Sequence, residues 1–133
     1  MAASTTTRQG LLTFLRVAII LQTLLVFVQA VSAGLVLATP YGEPLHSIGA
    51  RVVFAAAMLH VVAAVVVWRP GGGSFATVLY AAGFLVLMSA QVVVGIMHVM
   101  ALHVPLGVVL FAMSVLRLAW IGSGRRPRAA GAA

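Results

Sequence analysis

Four apolar stretches, at about 11–38, 47–68, 75–97 and 104–121, take up most of this chain and limit what it can fold into. Each has the roughly 20 residues that a helix needs to cross about 30 Å of hydrocarbon. Lipid offers backbone amides no partners, so an open sheet is excluded and helices satisfy the main chain within each segment. The connections agree. "TPYGEPLH" holds two prolines and a glycine, "RPGGGS" is a compact breaker, and "MALHVP" leaves almost no loop between the last two stretches. Links this short make consecutive helices antiparallel neighbours. The expected fold is therefore an all-α integral membrane protein, a four-transmembrane-helix up-down bundle over 11–121. A short segment, 1–10, precedes it, and a disordered basic tail, 122–133, follows.

Charge is scarce and one-sided: 7% of residues are charged against 63% hydrophobic, which does not suit a soluble domain. All the basic residues are arginine and Glu43 is the only acid, so the high isoelectric point records missing carboxylates more than a basic surface. Nucleic acid is not an expected partner; the lipid bilayer is. Cysteine is absent, which removes disulfides, thiolate metal sites and cysteine nucleophiles together. Arg8, Arg69, Arg125, Arg126 and Arg128 fall on one side of the spans, and Arg16 and Arg117 lie close enough to snorkel to it. Both termini are then expected in the cytoplasm, with Glu43 and the link through His98 facing outward. A competing reading takes Arg8, Arg16 and "VSAG" as a signal peptide cut after Ala33. The apolar run is longer than a usual signal core and continues through "LVLA", which favours an uncut first helix.

The halves of the chain echo each other. "QAVSAG", a turn and "LHSIGARVVF" in the first correspond to "QVVVG", a link and "LHVPLGVVLF" in the second. Gln29, Gly34, His46 and Gly49 thus match Gln91, Gly95, His103 and Gly107. The second and fourth helices run in the same direction and lie diagonally across the bundle, so His46 and His103 should meet at one depth near the outer face. A flat ligand between them would receive one imidazole nitrogen from each side, as an iron porphyrin does. Gly49 and Gly107, about one turn below, would let a macrocycle approach the backbone, and Gly34 and Gly95 could do the same on the flanking helices. Arg51 lies where arginine is disfavoured and needs an anion, either Glu43 or a heme propionate.

Other residues have plainer expected roles. His98, at the outer edge of the third helix, is an interfacial residue that could replace His103 as ligand. Met100 is a filler that could also serve as an axial ligand. His60 lies roughly 20 Å deeper than His46 and is expected to make an interhelical hydrogen bond. Gln29 and Gln91 are expected to bond between helices as well. Trp68, Trp120, Tyr41 and Tyr80 are expected as interfacial anchors.

The pattern of Gln, Gly and then Leu-His at the start of helices two and four, over about 21–120, resembles one four-helix half of heme A synthase. It equally resembles uncharacterised single-bundle bacterial membrane proteins. The resemblance implies a bacterial plasma-membrane location and a b-type heme held by His46 and His103. It does not transfer the enzymatic activity, because the second bundle is missing and the loop between helices one and two lacks the cysteine pair common in that family. A homodimer could restore the two-bundle form, and a larger membrane redox complex is the other expected partner.

Several function classes remain distinct. A bis-histidine heme protein would carry single electrons or handle heme, since such iron has no open coordination site. A cofactor-free structural or accessory subunit fits the small-residue spacing of "AAGFLVLMSA". A proton-coupled exporter would need an ionisable residue inside a span, and only His60 is offered. No nucleophile, base and orienting acid converge for hydrolysis, so no catalytic residue is expected.

Overall fold

The computed structural model describes residues 2–123, and its regular structure is helical throughout: α1 (Ala2–Ala38), α2 (Gly42–Trp68), α3 (Phe75–Ile96) and α4 (Met100–Ser123). Each contains a stretch long and apolar enough to cross a membrane. The basic tail expected at 122–133 falls almost wholly outside the described residues, as do Arg125, Arg126 and Arg128.

Three helix starts differ from the sequence expectation, among them that of α2, which begins at Gly42 rather than 47 and takes in His46. α1 begins at Ala2 rather than near residue 11, because nothing in "AASTTTRQG" stops a helix from extending backward once the apolar run has nucleated it. α4 begins at Met100, ahead of the expected 104, and takes in Pro105. A proline inside a helix has no N–H for the preceding turn, but near the helix start few intrahelical bonds have yet formed, so the loss is confined to one.

The links are tight. Gly42 packs against the Leu35 carbonyl and the Val36 amide, where a Cβ would overlap the α1 backbone, so the α1–α2 turn requires glycine there. His98 turns the chain between α3 and α4 with a positive φ of 57°. Ser74 caps α3, accepting a bond from the Ala76 amide at 3.2 Å.

α1 packs on α2 and α4, and α3 packs on the same two, which leaves α1/α3 and α2/α4 as the diagonals of an up-down bundle. The core has two apolar layers. Leu15, Ala18, Ile19, Ala63, Ala64, Val67 and Ala81 form the one nearer the termini. Val26, Val53, Ala57, Phe84, Met88 and Leu110 form the other. Between them lies a buried polar belt of Gln22, Thr23, His60 and Ser114. Outward, many large side chains such as Leu24, Val28, Val62, Val86 and Leu116 are exposed, a surface suited to hydrocarbon and far too apolar for water.

Candidate functional site

His46, in the first turns of α2, and His103, at the start of α4, come together across the bundle diagonal with ring centroids 6.1 Å apart and planes at 74°. Both rings are half-buried, at the end opposite the termini. They meet there because short links bring both helix starts to the same height.

Each ring is held by its own preceding helix. The Nδ1 of His103 lies 3.1 Å from the Gln91 carbonyl oxygen. A carbonyl only accepts, so Nδ1 carries the proton and Nε2 keeps its lone pair. The Nδ1 of His46 lies 3.0 Å from the Ser32 hydroxyl, and that hydroxyl donates its own proton to the Gln29 carbonyl at 2.9 Å. The serine oxygen is then the acceptor for His46 Nδ1–H, which again leaves Nε2 as the basic nitrogen. Imidazoles that ligate metals are oriented in this way, one ring nitrogen tied to a carbonyl or other acceptor and the other kept for the metal. The Gln91 side-chain amide, 3.4 Å from His103 Nε2, approaches that nitrogen only weakly.

The glycines of the repeat make room for side chains of this cluster. Gly49 sits against the Gln29 amide, whose Nε2 donates to the His46 carbonyl at 2.8 Å. A Cβ on Gly107 would lie 3.0 Å from Gln91 Nε2, and one on Gly95 would lie 2.9 Å from His103 Cε1. Gly34 has nothing within 4 Å of its Cβ direction. The notches at Gly49 and Gly107, which from sequence could admit a macrocycle, thus hold glutamine amides.

Arg51 is exposed on α2, five residues after His46, and among the described residues it forms no ion pair with Glu43. His98 is exposed in the α3–α4 link, and Met100 is exposed as well. Among the described residues no three His, Cys, Asp or Glu side chains converge, so His46 and His103 supply a pair of donors and not a cage.

The polar belt is where sequence reasoning missed most. His60 is fully buried and pairs through Nδ1 with Gln22 Oε1 at 3.0 Å, the interhelical bond expected of it, while its Nε2 has no partner. Tyr80, expected as an interfacial anchor, turns inward instead. Its hydroxyl donates to the Met113 carbonyl at 2.6 Å, and its ring lies 6.3 Å from His60. Gln22 stands seven residues before Gln29, and that spacing on one helix face was the available signal. Ser32 was hidden inside "VSAG". No protein-family model, curated protein or solved structure matches this chain.

Proposed function

We propose that the outer end of the bundle binds a b-type heme, with His46 and His103 as axial ligands, in a multi-pass protein of a bacterial plasma membrane whose termini are cytoplasmic. The observation that carries this reading is the pair of adjacent imidazoles, each with Nδ1 committed to the helix before it and Nε2 left with its lone pair. The ring centres stand 6.1 Å apart, close enough for both imidazoles to reach one metal ion. A pair of nitrogen donors is a poor complement for a bare transition ion, whereas a porphyrin brings four donors of its own.

When bound, such a heme supplies a one-electron couple without an open coordination position. The chain's own residues hold and tune it. Ser32 and the Gln91 carbonyl fix the imidazole tautomers and would make the rings stronger donors to a metal. Arg51, exposed on α2 five residues after His46, would neutralise a propionate. Gln29 and Gln91, seated against Gly49 and Gly107, would lie along the edge of a macrocycle.

The test is expression in heme-replete membranes, purification in detergent, and optical spectra of wild type beside His46→Ala, His103→Ala and His60→Ala. Wild type should show a low-spin b-type spectrum that either of the first two substitutions abolishes and His60→Ala preserves. A wild-type protein that stays colourless after reconstitution, or a spectrum indifferent to His46→Ala, would sink the reading.

A second reading, a cofactor-free accessory subunit, is supported by one face of α3. Ala76, Gly83 and Ala90 recur at every seventh position and are all exposed, a small-residue stripe of the kind that lets another membrane helix approach closely. A colourless protein that crosslinks to a neighbour through Gly83→Cys, in a chain with no other cysteine, would favour it.

A further inference from the structure

Arg16 on α1 and Arg117 on α4 line one open cleft of about 390 Å³ at the end of the bundle that carries the termini, far from the paired histidines. No carboxylate lines it, and Glu43 lies at the opposite end. Arg117 is held in place: its guanidinium carbon stands 4.8 Å from the centre of the Tyr80 ring and 4.9 Å from that of Trp120. Tyr80 is in turn pinned by its hydroxyl bond to Met113. Yet Arg117 Nε is buried without a hydrogen-bond partner. An arginine fixed by aromatic faces, with donors left over, is prepared for an acceptor that comes from outside the chain.

Two further features select the chemistry of that acceptor. Ser74 and Thr77, at the start of the 22-residue helix α3, line the same cleft and bring the positive end of its dipole to it. Leu12, Trp120 and Ile121, partly or fully exposed, make the rim of the cleft apolar. Two arginines and a helix N-terminus suit a phosphate, and an apolar rim running into a membrane-spanning helix suits the chains attached to one.

We propose that this cleft binds the headgroup of an anionic phospholipid, with Arg16 and Arg117 clamping the phosphate oxygens and the acyl chains lying along Leu12, Trp120 and Ile121. The site does not depend on heme at the other end. Its chemistry is shared with soluble phosphates, and the apolar rim is what distinguishes the lipid.

The test titrates the detergent-purified full chain with phosphatidylglycerol, phosphatidylcholine or inorganic phosphate, with bound lipid counted by native mass spectrometry. Wild type should retain phosphatidylglycerol about tenfold better than phosphatidylcholine, and Arg16→Gln and Arg117→Gln should each lose roughly five- to tenfold of that preference. Arg117→Lys, which keeps the charge but not the fork, should lose less. Arg69→Gln is the control, because Arg69 stacks on Trp68 at the same end without lining the cleft. Equal retention of the two lipids overturns the proposal, and so does an Arg69→Gln loss as large as that of Arg16→Gln. Displacement of the lipid by inorganic phosphate would reassign the site to a soluble anion and overturn the lipid assignment. If Arg117→Gln fails to fold, Arg16→Gln still decides, since Arg16 makes no hydrogen bond with other described residues that the fold would lose.

Discussion

The two halves of the repeat put their histidines at the same place by different means. In the second, His103 is gripped by main chain, its Nδ1 on the Gln91 carbonyl and its ring against Gly95. In the first, His46 depends on a side chain, Ser32, and Gly34, the counterpart of Gly95, touches nothing. The cause lies in the connections. Gln29 and His46 are separated by 17 residues, Gln91 and His103 by 12. α1 therefore runs further past its glutamine than α3 does, and Gly34 follows Gln29 by five residues where Gly95 follows Gln91 by four, a step of about 100° round the helix that turns Gly34 away from the imidazole. What both halves keep is a glutamine amide seated on a glycine of the next helix, Gln29 on Gly49 and Gln91 on Gly107. The repeated unit is this helix-to-helix contact, and the grip on the ring is particular to each half.

The largest expected difference follows from the unequal glycines. Gly95→Val would drive a side chain into the His103 ring and should destabilise the protein by about 1–3 kcal/mol. Gly34→Val meets open space and should stay within about 0.5 kcal/mol. Thermal unfolding of both variants in the same detergent checks the pair, and similar losses would mean that Gly34 has a contact as close as that of Gly95.

A smaller contrast is expected at the shared contact. Gly49→Ala would push against a Gln29 amide that is committed to the His46 carbonyl at 2.8 Å, so accommodation costs that bond, about 1 kcal/mol. Gly107→Ala meets a Gln91 amide whose nearest acceptor is 3.4 Å away, and that amide can move at little cost, under about 0.5 kcal/mol. In a double-mutant cycle, Gln29→Ala should relieve Gly49→Ala, giving a combined loss smaller than the sum of the two. Strict additivity would show that the two residues are not in contact.

These contrasts also mark how far the sequence could be read. The four helices were legible because the bilayer allows a long apolar run little else, and the meeting of His46 and His103 because both open helices that follow short links. Helix ends were less so: Pro105 looks like a starting residue, and only the packed chain reveals that α4 begins before it. The glycines were legible as positions of close approach, but what approaches them depends on helix rotation, which hydropathy does not report. Gln22 and Tyr80 were opaque for the same reason. A lone polar residue in an apolar helix reveals its partner only when the facing helix is placed, and here the partners are His60 on α2 and the Met113 carbonyl on α4.

The smallest expected effect is the most specific to the difference between the halves. Ser32→Ala removes the acceptor for His46 Nδ1–H but leaves the ring in place, and an interhelical hydrogen bond within a membrane protein averages about 0.6 kcal/mol, so stability should fall only slightly. The more sensitive readout is electronic. If His46 ligates a heme, losing the bond at Nδ1 makes the imidazole a weaker donor, which disfavours the oxidised iron and raises the midpoint potential. Gln91→Leu should not do the same through His103 Nδ1, because the acceptor there is a backbone carbonyl that any residue retains. Redox titration of the two variants beside wild type therefore separates the halves, and an equal rise in both would mean that the Gln91 side chain, not its carbonyl, sets the basicity of His103.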